Sequence, residues 1–420
     1  MRDIVLACIV FGSLPFILKR PFWGILMLAW LGYMNPHRLA WGFMFDMPVV
    51  FVVALTTLAS MLMSKEAKRM IWSREIVVLV IFILWMTVTT TQARLPALAW
   101  MQYDKVMKIQ LMTFMTLVML TSRERVHMLI WVIVLSLGFY GVKGGIFTIV
   151  NGGSFRVQGP AGSFIAGNNE LALALVMTIP LMRYLQLHEQ DKRIKRGLAV
   201  AMMLTALAAV GSHSRGAFLA LLVTGFVFWL KSRHKVATLM LISIPALITV
   251  QLMPAEWFER MQSIKDYEED ESAQGRFMAW RYAYNVANNQ VFGVGFEGFK
   301  GYDAHSIYFE VMGEHGWIGL AFFVTLLALT WFKSGAVIRL AKRSPQTLWA
   351  RDLAAMIQVT LIGYMSAGTF LGLAYFDYLY HLVVVVVVLH HMLSATQRRS
   401  ATVADPPADP LSLVAAFRRA

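Results

Sequence analysis

The sequence predicts an all-α polytopic membrane protein of about 12 transmembrane helices, with one large, mostly helical loop outside the cell membrane. Three observations predict it. Of the 420 residues, 58% are hydrophobic and 15% charged, where a soluble domain carries about 45–50% apolar and about 25% charged residues. The apolar residues form long unbroken runs rather than alternating, which fits helices and not barrel strands. Lys and Arg concentrate in every second connector, the bias that sets orientation. A soluble enzyme, a disordered chain and a fibrous protein are excluded. The net charge of +14 belongs to those connectors, so nucleic acid is not an expected partner. Cys8 is the only cysteine, so no intrachain disulfide forms.

Apolar runs read as spans at 21–34, 47–63, 76–91, 106–121, 126–149, 168–187, 197–211, 216–230, 236–252, 306–332, 352–373 and 376–394. Several fall short of the roughly 20 residues a crossing needs, so their ends extend into flanking residues. The first run, Ile4 to Leu18, is a possible thirteenth span. It lacks a basic leader and a small-residue cleavage site, and is expected to stay in the mature chain. The connectors at 19–20, 64–75, 122–126, 188–196, 231–235 and 333–351, with the tail, carry 24 Lys and Arg; the alternate set carries 10. The first set is therefore expected inside and the second outside.

The expected organisation is 1–252 as N-terminal transmembrane helices (about nine spans), 253–305 as an outside loop or cap, 306–394 as three C-terminal spans, and 395–420 as a cytoplasmic tail. That tail is expected to end in a short surface helix over 411–420. The loop has nine acidic residues, including the run from Asp266 to Glu271, against five basic ones. Trp257, Phe258, Trp280, Tyr282, Tyr284 and Phe292 are too many aromatics for a disordered loop, and 275–290 has helical spacing.

Polar residues gather at the outer face in four groups. Ser212-His213-Ser214-Arg215-Gly216 is the whole connection between two spans. Arg215 is its only cation and opens a helix, where a guanidinium fork and the helix dipole together favour a phosphate. In Gly275-Arg276-Phe-Met-Ala-Trp280-Arg281, Arg276 and Trp280 are four apart and share a helix face. His305-Ser306 stands where the loop returns to the membrane, and a neutral imidazole there suits a general base. Glu310 and Glu314 follow on the next helix as acids inside an apolar span. The fourth group is a glycine-rich loop, Arg156-Val-Gln158-Gly159-Pro160 onward, that leads to Asn168-Asn169-Glu170. Its turns let backbone N–H groups approach an anion.

Other patterns carry no chemistry. Gly293-Val-Gly295-Phe-Glu-Gly298 spells a dinucleotide fingerprint, but no strand precedes it. The histidines lack metal spacing, and the 266–271 run lacks the ligand spacing of a calcium loop.

His305-Ser306, then nine residues, Gly316, two residues and Gly319, resembles the signature of bacterial O-antigen ligases. Ser-x-Ser-Arg-Gly opening a span and the Arg276–Trp280 element before Gly-Val-Gly fit the same family. So does the Gly159–Ala172 stretch, although Gly167 stands where a proline is common. Tyr33-Met-Asn-Pro-His-Arg38 and the first 90 or so residues resemble the N-terminal module of O-glycosylation ligases of this superfamily. The resemblance implies a GT-C-like glycosyltransferase of lipopolysaccharide biosynthesis in the bacterial inner (cytoplasmic) membrane, multi-pass, with its active site facing the periplasm. It would need no metal and no cofactor. The implied donor is a glycan on undecaprenyl diphosphate, and the implied acceptor is a sugar hydroxyl of the lipid A core oligosaccharide. Transfer would invert the anomeric centre. His305, Arg215 and Arg276 would be catalytic, as base and diphosphate clamps. Arg281, Arg156, Arg38, Asn169, Glu314, Ser306 and His213 would bind substrate. An O-antigen polymerase or a protein O-oligosaccharyltransferase shares the signature. A transporter of lipid-linked glycans would instead show paired charges at the bilayer midplane in two repeated halves, which the sequence lacks.

Overall fold

The computed structural model describes residues 1–66, 68–232, 234–262, 271–299 and 304–404. Its helices are α1 (Arg2–Lys19), α2 (Pro21–Met34), α3 (Val49–Met63), α4 (Arg74–Thr91), α5 (Pro96–Met119), α6 (Arg123–Val150), α7 (Asn168–His188) and α8 (Lys192–Gly211). They continue as α9 (Arg215–Lys231), α10 (Lys235–Leu252), α11 (Ala255–Gln262), α12 (Glu271–Asn289), α13 (Ile307–Ala341), α14 (Leu348–Gly368) and α15 (Asp377–Ala404). No strand occurs among the described residues. Each apolar run of the sequence is one helix. Six, namely α4, α6, α7, α8, α13 and α15, are long and apolar enough to cross a membrane; α2, α3 and α10 are apolar but shorter. The chain is thus an all-helical, multi-pass membrane protein.

Local chemistry explains the helix ends. Pro21 and Pro96 occupy first-turn positions, where a missing N–H costs nothing. Ser122, Asp191 and Ser214 accept from the N–H groups of Arg125, Arg193 and Ala217 at 3.3, 2.7 and 3.2 Å, satisfying donors that the helix itself cannot. The centre is α7 and α14, mostly buried, and the valine-rich start of α15, whose side chains are almost all buried. On α6, Gly145 lies so close to α8 that a Cβ would sit 2.2 Å from the Leu204 carbonyl oxygen. Small residues of this kind let two membrane helices approach at backbone distance.

Two differences from the sequence expectation concern α15 and α13. The last helix does not stop near residue 394 but runs to Ala404. The stretch from Ser394 to Ala404 contains no Pro or Gly, so nothing in it breaks the helix before Pro406. The expected surface helix over 411–420 lies outside the described residues. In turn, α13 is not one straight span. Gly316 has φ 68° and ψ −174°, which separates a short segment, 307–315, from the long helix beyond it. A Cβ on Gly316 would also meet the Val291 carbonyl oxygen at 2.2 Å.

The loop 253–305 carries two helices, α11 and α12. Trp257 of α11 donates to the Val210 carbonyl at 3.3 Å, and α12 lies along the start of α13. The acidic run 266–270 and Asp303 fall outside the described residues.

Candidate functional site: two histidine turns and the arginines between them

The turn after α8 is built before any substrate is considered. Ser212 and Ser214 are buried, and so is the ring of His213. His213 has φ 58°. Its Nε2 lies 2.8 Å from the Gly153 carbonyl, and its own carbonyl accepts from Arg260 Nε at 3.0 Å. The Ser212 carbonyl accepts from Asn168 Nδ2 at 2.8 Å, and Val157 N–H donates to the Gly211 carbonyl at 3.0 Å. The glycine-rich loop therefore wraps the turn that presents Arg215. Burial pushes the His213 imidazole below its ordinary pKa; the bond to Gly153 opposes this, and the nearby Arg156 and Arg260 add to it. This ring is kept neutral, engaged and away from solvent.

Arg38 joins the same loop from the N-terminal side. Asn35, in the left-handed conformation, ends α2, and Tyr140 donates its hydroxyl to the Met34 carbonyl. Pro36 then starts a single 3-10 turn. That turn lays the Arg38 guanidinium over the Phe45 ring, 4.9 Å from its centre, and beside Gly162, whose Cβ would be 3.6 Å from Cζ. The Tyr33–Arg38 motif thus closes a helix and delivers one cation to the loop. Arg156 is exposed on that loop and Asn169 is half-buried in the first turn of α7. The Glu170 carboxylate folds back on Gly167, where a Cβ would clash with Oε2 at 2.0 Å.

The second turn holds His305. Its φ is 43°, and its neighbour Ser306 precedes α13. His305 is half-buried. Ser306 is fully buried, and its hydroxyl has no hydrogen-bond partner among the described residues. The residue before the histidine, Ala304, accepts from Trp280 Nε1 at 2.8 Å. The Trp280 ring stacks on Phe309 at 4.9 Å and tilts against Phe370 at 6.4 Å. Phe370 in turn packs on the first turn of α9, since a Cβ on Gly216 would stand 2.9 Å from the Phe370 Cβ. A continuous line of contacts therefore runs from Arg215-Gly216 through Phe370 and Trp280 to Ala304-His305. Arg276 lies one helical turn before Trp280, on its face, and is half-buried; Arg281 is exposed.

Glu314 sits lower and is buried. Its Oε1 accepts from the Glu297 N–H at 2.9 Å and its Oε2 from the Tyr375 hydroxyl at 2.6 Å. The Gly293–Gly298 stretch, read from sequence as loop turns, is a strap. Val294 and Gly295 N–H groups donate to the Gly313 and Glu314 carbonyls, both at 2.9 Å. Glu310 Oε2 accepts from Ala374 N–H at 3.2 Å. The short first segment of α13 is thus held on both sides, and Glu310 and Glu314 tie two loops to the segment that follows His305.

One neighbour was not marked. Arg260 lies in α11, eight residues of helix with a strongly apolar face, and nothing local separates it from an ordinary surface cation. Its contact to His213 needs the fold. Among the described residues, no group of three or more His, Cys, Asp or Glu side chains is placed to hold a metal.

Residues 200–324 match the family model described as O-Antigen ligase. That region is similar to the O-antigen ligase family. It contains Arg215, Arg260, Arg276, Arg281, His305 and both glycines of the signature. Residues 1–190 match a family of unknown function, DUF5935, which carries Arg38, Arg156 and Asn169. No curated protein matches the chain.

Proposed function

We propose that the protein is an O-antigen ligase. It would transfer a glycan from undecaprenyl diphosphate to a sugar hydroxyl of lipid A core at the periplasmic face, with inversion and without a metal. The observation that carries this reading is the line of contacts from Gly216 through Phe370 and Trp280 to Ala304, which joins three stretches of the region that matches the ligase family. It makes neighbours of the stretches bearing Arg215, Arg276 and His305.

The acceptor oxygen attacks C1 of the donor sugar as the bond from C1 to the diphosphate oxygen breaks. His305 takes the proton that the hydroxyl loses. The leaving diphosphate gains a negative charge, which Arg215 and Arg276 hold through forked hydrogen bonds. Attack opposite the leaving group inverts C1. Arg276 takes this role rather than Arg281 because it shares the inward face with Trp280. Arg260 and Arg156 add positive potential beside the turn. Ser306 offers a buried hydroxyl next to the base. The hydrocarbon of the donor has a place to lie. A cavity of about 730 Å³ between α8, α9, α10 and α11 begins at Val210, just below the His213 turn, and its walls are Phe218, Leu221, Trp257, Phe258 and similar side chains.

Reconstitution of the full chain with lipid-linked glycan tests the proposal. Lipid A core, a serine-bearing peptide and excess lipid-linked glycan serve in turn as acceptor, with and without EDTA. Transfer to lipid A core that survives EDTA is the expected result. Transfer only to peptide, or only to a second lipid-linked glycan, would replace ligation by protein glycosylation or polymerisation. EDTA-sensitive transfer would refute the metal-free mechanism.

A further inference from the structure

The far end of the bundle holds a second charged cavity that glycan transfer does not use. It measures about 460 Å³ and lies among the ends of α7, α9, α13 and α14 away from His305. Arg183, Lys231, His234, Lys342 and Arg351 line it, and Asp352 is the one carboxylate among the described residues of its wall. Asp352 is already satisfied. Arg351 Nε donates to its Oδ1 at 2.8 Å, as does the Arg351 Nη2, and His188 Nε2 lies 3.2 Å from Oδ2.

The remaining cations have neutral partners. Arg183 donates to Gln186 Oε1. Lys231 Nζ donates to Gln358 Oε1 at 2.5 Å and sits 5.5 Å from the centre of the Trp331 ring. Lys342 is exposed and forms no ion pair among the described residues. Basic residues at membrane-helix ends ordinarily spread outward into solvent and head groups. Here three helices turn them into one concavity, with Lys231 pinned in place. Positive charge gathered around a single carboxylate that Arg351 already holds favours an anion. The same wall is apolar at Leu187, Phe228, Ile338 and Met356.

We propose that this cavity binds a phosphate group, carried by an acidic phospholipid whose acyl chains rest on the apolar part of the wall. Arg183 forks onto the phosphate oxygens, while Lys231 and Lys342 act as point charges. Basic pockets between membrane helices on the cytoplasmic side suit such head groups, and the basic connectors mark this end as cytoplasmic.

The test uses the full chain in phosphatidylcholine nanodiscs. Phosphatidylglycerol is titrated in one arm and inorganic phosphate in the other, with thermal unfolding and native mass spectrometry as readouts. Phosphatidylglycerol is expected to be retained by the wild type. Each of Arg183→Gln and Lys342→Gln should weaken retention about fivefold. Lys342→Gln alters only an exposed side chain, so it reports on the site without disturbing a buried contact. Stabilisation by inorganic phosphate without preference for phosphatidylglycerol would keep the anion site and reject the lipid. Equal retention of both phospholipids by wild type and variants, with no effect of phosphate, would overturn the proposal.

Discussion

Two short turns in this protein share a local plan and differ in everything around it. His213-Ser214 precedes α9 and His305-Ser306 precedes α13. Both histidines adopt positive φ, 58° and 43°, a conformation that costs an L-residue of order 1–3 kcal/mol unless its surroundings enforce it. In the first turn the ring is buried on Gly153 and the serine hydroxyl caps the helix. In the second the histidine is half-buried and the serine hydroxyl caps nothing. The same His-Ser step thus builds a pedestal for Arg215 in one place and, in the proposed mechanism, presents a base in the other. Burial and partners, not residue identity, separate scaffold from chemistry. His213, which the sequence marks as substrate-binding, ties the turn to Gly153 and Arg260.

The sharpest way to break the comparison is to remove each ring. His305→Ala is expected to lower transfer by about 10²–10⁴-fold, the usual weight of a general base, with unfolding temperature unchanged. Arg215→Ala and Arg276→Ala should each lower the rate by about 10²–10³-fold, as loss of one stabilising donor does elsewhere. Lysine at either position should restore only part, because it cannot fork. Arg281→Ala should cost far less than either. Initial rates in the reconstituted assay check these expectations.

Gly316→Ala tests the frame of the second turn. The new methyl faces the Val291 carbonyl at a positive φ, so a drop in thermal stability of about 1–2 kcal/mol or more is expected, with transfer lost alongside it. His213→Ala should act in the opposite proportion. It leaves the buried Gly153 carbonyl without its partner, a loss of about 1–3 kcal/mol in stability, while transfer per folded molecule stays near wild type. The smallest effect is on pH. With the His213 pKa depressed in the folded state, the unfolded chain binds the extra proton. The stability from this ring is full above about pH 6.5 and declines as pH falls below it. Thermal unfolding across pH 5–8 should show a weaker acid slope in His213→Ala than in wild type.

Much of this was legible in the sequence because hydropathy acts locally. Every apolar run became a helix, since a buried or lipid-facing backbone must satisfy its own hydrogen bonds. His305, Arg215 and Arg276 were legible as residue types at suitable spacings. The kink at Gly316 was present only as a glycine in a signature; its reason, the Val291 backbone, lies across the fold. Arg260 and the hold of Tyr375 on Glu314 join residues far apart in the chain, which no periodicity reports. The acids Glu310 and Glu314 stood out as intramembrane charges, yet their hydrogen bonds anchor loops.

The most direct single measurement is donor retention by His305→Ala, read on the same reconstituted sample as transfer. The account predicts that lipid-linked diphosphate is held as tightly as by the wild type while product formation all but stops. Product formed at the wild-type rate by this variant would contradict it.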